Sequence, residues 1–135
     1  MTTTTISLGR GVTTTLGTQR ALIVEDQPEI SELLAQILQP LGFQTSVATN
    51  GGEALLLAQD IQPDLITLDL NLPVKDGHAV LQELGANPRT RTIPVIVISA
   101  YTGRLRPTDQ VIGVLQKPFD VQELVDTVLI ACVDG

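Results

Sequence analysis

From Ala21 onward the chain switches repeatedly between two apolar patterns. Ala21-Leu22-Ile23-Val24 is a short unbroken apolar run that stops at Glu25-Asp26. Ile30, Leu33, Leu34, Ile37, Leu38 and Leu41 then recur at i, i+3, i+4, i+7, i+8 and i+11, one face of an α-helix. Pro28 suits its first turn, Glu29 and Glu32 stand near the positive end of the dipole, and Gly42 lies just past its end. Phe43–Ala48 reads as a second strand. Asn50 can cap the next helix, with Glu53 three residues on as in a capping box. Leu65–Leu68, Val95–Ile98 and Val111–Leu115 are three more strands. Val80, Leu81 and Leu84 predict a helix after Gly77 that stops by Asn87-Pro88. Asp120 caps a last helix with Val121, Leu124, Val125, Val128, Leu129 and Cys132 on one face. Residues 103–110 fit neither pattern.

Continuous apolar strands, as opposed to alternating ones, are buried on both faces, as in a parallel sheet covered by helices. Strand–helix alternation repeated along residues 21–133 therefore predicts one doubly wound α/β domain with five parallel strands. Residues 1–20 are rich in Thr and Gly and read as an N-terminal extension. They form either a flexible tail or a weak hairpin with arms either side of Gly9-Arg10-Gly11. Order in that segment would point to a covering surface such as a second copy, a homodimer.

Composition narrows the function. The chain has 135 residues, 43% hydrophobic and 17% charged, which suits one folded domain. Phe43, Tyr101 and Phe119 are its only aromatics, so the core is aliphatic. A net charge of −7 and the lack of a basic run argue against direct nucleic-acid binding. A single cysteine, Cys132, makes no internal disulfide. No apolar run is long enough to span a bilayer, and no secretory signal opens the chain. A cytoplasmic setting is expected.

Ligands of open α/β sheets bind beyond the carboxyl ends of the strands. The first strand ends in Glu25 and Asp26, the third in Asp69, the fourth in Ser99 and the fifth in Lys117. The second ends in Ala48-Thr49, with nothing ionisable, which places it at an outer edge and gives the order 2-1-3-4-5. Three crowded carboxylates repel one another, so either one stays protonated or a cation binds. Hard oxygen ligands favour Mg²⁺ or Mn²⁺ over Zn²⁺. Lys117 supplies a positive charge and Ser99 a hydroxyl. With a metal, they can hold the equatorial oxygens of a transferring phosphoryl group. Asp69, on the central strand, is the best candidate for the nucleophile. His78 reads as a surface helix residue with no ligand role. Gly51-Gly52 lacks the rest of a phosphate-binding loop and reads as a helix start.

These residues resemble the response-regulator receiver family. The resemblance rests on Val24-Glu25-Asp26, Leu68-Asp69-Leu70-Asn71-Leu72-Pro73 with Asp76-Gly77, Ile98-Ser99-Ala100 and Lys117-Pro118-Phe119. It covers Ala21 to about Cys132, with a flavodoxin-like fold. It implies that Asp26 ligates Mg²⁺, that Glu25 helps through water, and that Asp69 both ligates the ion and accepts the phosphoryl group. It also implies that the backbone carbonyl of Asn71 is a ligand, that Ser99 turns toward the phosphoryl oxygen and that Lys117 pairs with it. The phosphoryl donor would be a histidine kinase or histidine phosphotransfer protein, with an output partner the sequence does not name. The protein would be a signalling module, not an enzyme.

Two departures stand out. Many receivers carry Tyr or Phe three residues before the lysine, where the ring turns with the hydroxyl residue. Here Val114 stands there, so ring flipping cannot relay the signal. The stretch from Ser99 to Lys117 is also shorter than usual by roughly one helical turn. The fourth helix is then expected to be short or replaced by a loop. A degenerate receiver, serving as a constitutive binding or dimerisation module, remains an alternative. An aspartyl-nucleophile phosphatase is a weaker one, because Asn71 stands where those enzymes carry their general acid. Tyr101, two residues after Ser99, is expected to shield the acyl phosphate from water. Tyr101→Ala should therefore lose a bound phosphoryl label faster than the parent protein, and an unchanged decay time would remove that role.

Overall fold

The structure, a computed structural model, describes residues 5–7, 13–15, 19–100, 105 and 108–134, with backbone alone for 5–7, 13–15 and 132–134. Five parallel strands form the central sheet: β1 (Gln19–Val24), β2 (Phe43–Ala48), β3 (Leu65–Leu68), β4 (Val95–Ser99) and β5 (Val111–Gln116). Their spatial order is β2-β1-β3-β4-β5, the predicted 2-1-3-4-5. Among the described residues the helices are α1 (Pro28–Leu38), α2 (Gly51–Ile61), α3 (Gly77–Ala86) and α4 (Val121–Asp134). None is long and apolar enough to cross a membrane. Thr5–Ser7 pairs antiparallel with Thr13–Thr15, the hairpin of the two forms expected for residues 1–20.

Strand alternation sorts the core into two layers. Leu22, Val24, Ile66, Leu68, Val95 and Val97 pack under α2 and α3 through Ala54, Ala58, Val80, Leu81 and Leu84. Ala21, Ile23, Leu65, Ile96, Ile98 and Leu115 pack under α1 and α4 through Leu34, Leu38, Leu124 and Val128. β1 and β3 are buried on both faces along their apolar residues, as continuous apolar runs require. Truncating a fully buried leucine such as Leu38 to Ala costs about 2–5 kcal/mol in such a core.

Local signals set most boundaries. Asn50 Oδ1 accepts from the Glu53 N–H at 2.9 Å, and Glu53 Oε1 accepts from the Thr49 N–H at 3.2 Å. Asp120 Oδ1 accepts from the Gln122 N–H at 2.8 Å at the start of α4. The stripe read for the first helix is too wide at two positions. Pro40 ends the α-helix, so Leu41 lies in a 3₁₀ turn, Gln39–Leu41. Leu33 flanks the buried line of Leu34 and Leu38 and is exposed. Val121 of the last helix is likewise exposed.

Of residues 103–110, where no element was read, 105 and 108–110 are described. Leu105 packs against the α2–α3 side of the core. Buried Gln110 anchors the approach to β5. Its Nε2 donates to the Thr90 and Ile93 carbonyls at 2.7 and 2.9 Å, and its own carbonyl accepts from the Val95 N–H at 2.9 Å. β5 then bulges: Val95 pairs with Val111 but Ile96 with Gly113, which leaves Ile112 between them.

Thr67 sits in the middle of β3, between Ile23 and Ile96 in register, and its hydroxyl has no hydrogen-bond partner among the described residues. An unpaired buried hydroxyl costs free energy that an isosteric methyl does not. Thr67→Val should raise unfolding stability by about 1 kcal/mol in urea denaturation. A loss of stability would mean that the hydroxyl is satisfied in solution.

Candidate functional site

The sheet ladder continues one residue past three strands and fixes the backbone of three site residues. The Glu25 N–H donates to the Ala48 carbonyl at 2.9 Å, Asp69 N–H to Val24 at 3.0 Å and Lys117 N–H to Ser99 at 2.9 Å. The ends of β1, β3 and β5, on one edge of the sheet, thus point their side chains at one spot. The Lys117–Pro118 peptide is cis.

Glu25, Asp69 and Ser99 are 2%, 5% and 1% exposed, while Asp26 is open to solvent. Lys117 Nζ lies 2.6 Å from Glu25 Oε1 and 3.1 Å from Asp69 Oδ2. Ser99 Oγ donates to Asp69 Oδ1 at 3.0 Å, and the Asn71 N–H donates to the same oxygen at 3.0 Å. The two carboxylate oxygens of Asp69 therefore have separate sets of donors. Glu25 Oε2 accepts from the Gln27 N–H at 3.3 Å.

Carboxylate oxygens of Glu25, Asp26 and Asp69 lie within 4.8 Å of one another, a group that could hold a metal ion. A cavity of about 130 Å³ opens beside them, lined by Asp26, Gln27, Asp69, Asn71, Ala100 and Lys117. Two buried carboxylates share one ammonium, so negative charge is in excess. Burial pushes the Glu25 carboxyl up, the Lys117 hydrogen bond works against this, and the Asp69 charge pushes it up further. Burial alone would lower Lys117. Its hydrogen bonds to Glu25 and Asp69 outweigh that and hold the ammonium above its ordinary value. A divalent cation at Asp26 would offset the excess charge, and an all-oxygen donor set suits Mg²⁺.

All six residues singled out at strand ends and in the following loop, Glu25, Asp26, Asp69, Asn71, Ser99 and Lys117, line this cavity or bond to a residue that does. His78 lies apart, exposed, with its Nδ1 3.8 Å from Asp76. Tyr101 lies outside the described residues. Val114 stands on β5, 43% exposed. Gln27 was missed; its place in the loop directly after Asp26 was the available signal. Gly77 enters the sequence reading as a helix boundary and as part of the Asp76-Gly77 motif, without a packing role. A Cβ there would lie 2.4 Å from the Asp69 carbonyl oxygen, so its lack of a side chain lets α3 start against the backbone of Asp69.

A five-stranded parallel sheet with an acid cluster, a lysine and a hydroxyl at its carboxyl edge defines a receiver-type α/β domain. The chain matches the response regulator receiver domain family over residues 21–129 and belongs to that family. It is 40% identical over 112 residues to the DNA-binding dual master transcriptional regulator RpaA of Synechocystis sp. (strain ATCC 27184 / PCC 6803 / Kazusa), covering 78% of this chain and 45% of that protein. This chain thus spans about half the length of that relative. A receiver domain (CheY-like) from Methylobacillus flagellatus superimposes with a TM-score of 0.74 at 30% identity, covering 84% of this chain and 98% of the other. The receiver domain of sensor histidine kinase PA1611 from Pseudomonas aeruginosa PAO1, solved with a magnesium ion coordinated in its active site cleft, gives a TM-score of 0.75 at 27% identity, covering 87% and 98%.

Lys117 titrates higher in the folded chain than its ordinary value of 10.5. Its pairing therefore contributes stability below about pH 10.5 that is lost as pH rises through the folded value. Glu25, also raised, holds its proton more tightly when folded. Its contribution is present below its ordinary value of 4.5 and is lost as pH rises through the raised one. In urea titrations of metal-free protein, wild type should show a fall in stability on the alkaline side that Lys117→Met lacks. Equal alkaline slopes would refute this role for the ammonium.

Proposed function

We propose that this chain accepts a phosphoryl group on Asp69 from a histidine kinase or histidine phosphotransfer protein and changes its binding of a protein partner in response. One observation carries the proposal. Lys117 Nζ and Ser99 Oγ bind different oxygens of one nearly buried carboxylate, beside a cavity with a carboxylate at its rim. An Asp69 oxygen attacks phosphorus as the P–N bond of the phosphohistidine breaks and the imidazole leaves. Lys117 and Ser99 are placed to follow the charge from the carboxylate to the phosphoryl oxygens. Asp26, Asp69 and the Asn71 carbonyl would hold Mg²⁺, with Glu25 behind them through water. The ion, when bound, neutralises charge that builds on the phosphoryl oxygens. Mn²⁺ fits the same donors.

Residues 21–133 form the receiver unit under this proposal, and residues 1–20 an extension from it. A chain of net charge −7 suits a protein partner, although RpaA is itself a DNA-binding regulator. A cytoplasmic setting goes with such a partner.

Incubation with acetyl phosphate and Mg²⁺ should add a single phosphoryl group by intact mass. The adduct should be missing in Asp69→Asn and after chelation of the metal. An adduct that persists in Asp69→Asn would move the acceptor elsewhere. No adduct with any phosphodonor would favour a constitutive binding module.

A further inference from the structure

The connection from β3 to α3 carries Asp69 and Asn71, and it is held in a conformation it does not prefer. The Lys75 N–H donates to the Pro73 carbonyl at 2.8 Å, closing a three-residue turn around Val74 at φ 70°. A positive φ at the centre is the strained hand of the γ-turn, and a β-branched residue there is an outlier. Val74 is 88% exposed, so packing of its own side chain does not hold it. Such strain persists only where the surroundings over-determine the backbone.

Those surroundings are visible on both sides. Beyond the turn, the Gly77 N–H donates to the Leu70 carbonyl at 2.8 Å, and Asp76 Oδ1 accepts from the Ala79 N–H at 3.0 Å. Beneath the turn lies Gly51, the first residue of α2. A Cβ at Gly51 would stand 2.1 Å from the Lys75 carbonyl oxygen, 2.8 Å from Lys75 Cβ and 2.8 Å from Val80 Cγ2. The Lys75 contact is with backbone, which no side-chain rotation relieves. Gly51 does not have a positive φ, so the position requires room and not backbone freedom. At Gly52 a Cβ would meet only Asn50 Oδ1 at 3.4 Å, an ordinary contact.

We propose that Gly51 is a positioning residue for the phosphoryl-accepting site: by letting the Lys75 backbone seat on the start of α2, it sets the loop that carries the Asn71 carbonyl and the backbone of Asp69. This rests on the cation and phosphoryl site proposed above. A methyl group at residue 51 lifts the turn, and the displacement reaches the ligand carbonyl through the intervening Leu72 and Pro73.

Mn²⁺ titration of the whole chain, followed by electron paramagnetic resonance of the free ion, tests this. Gly51→Ala should weaken Mn²⁺ binding by about tenfold or more, as loss of a supporting contact does. Gly52→Ala should bind as wild type. Val128→Ala, which removes core volume on the opposite side of the sheet, should lower stability but leave Mn²⁺ affinity unchanged. That separates positioning from general weakening. Where Gly51→Ala does not fold, Val74→Gly decides. With the seat intact it should keep wild-type affinity, and a tenfold loss would place control of the loop in residue 74. Wild-type affinity in folded Gly51→Ala overturns the inference alone. Absence of Mn²⁺ binding by wild type overturns the cation site and the inference with it.

Discussion

Lys117 reaches two buried carboxylates on two other strands, and the carboxyl edge of the sheet is organised around that contact. Glu25 and Asp69 without the ammonium would be two charges out of water a few ångströms apart, a costly arrangement. With it, they remain one charge in excess, and Asp26 at the rim adds a further one. The site is thus tolerable as it stands and still attractive to a cation. A more complete neutralisation would have made a structural ion pair. A less complete one would have required a carboxyl to keep its proton.

The sheet order makes this contact possible. With β3 central and β5 at one edge, the chain brings Glu25, Asp69, Ser99 and Lys117 to adjacent strand ends while β2, which ends without an ionisable group, stays outside. That much was legible from the sequence, because a parallel sheet with short apolar runs presents the residue after each run at one edge. The hydrophobic runs gave the strands, and the caps at Asn50 and Asp120 gave two of the helix starts.

What the sequence concealed depends on approach between distant segments. The helical stripe included Leu33 and Leu41, since periodicity alone does not say how wide a face the sheet covers or that Pro40 would end the helix. Gly51 and Gly77 looked like helix boundaries, which they are. Their further role depends on backbone pressing where a Cβ would stand, and no spacing rule reveals that. Thr67 looked like an ordinary strand residue, and only the apolar side chains around it leave its hydroxyl without a partner among the described residues. Gln110, in a stretch with no clear pattern, became an anchor because its amide reaches two carbonyls across the chain.

The bulge at Ile112 has a consequence at the far end of β5. Side chains along a strand alternate between faces, so one inserted residue reverses the parity of all that follow. Val111, before the bulge, packs on the α2–α3 side; Leu115, after it, packs on the α1–α4 side. Glu25 continues the α1–α4 parity of Ala21 and Ile23, and Asp69 that of Leu65. Lys117 follows Leu115 at the same interval and so arrives on the face where both acids lie. Counted without the extra residue, the ammonium would leave the strand on the side of Asp26 and Ser99, opposite in parity to Glu25 and Asp69. A single unpaired position at the entrance of an edge strand therefore sets the polarity of the site at its exit.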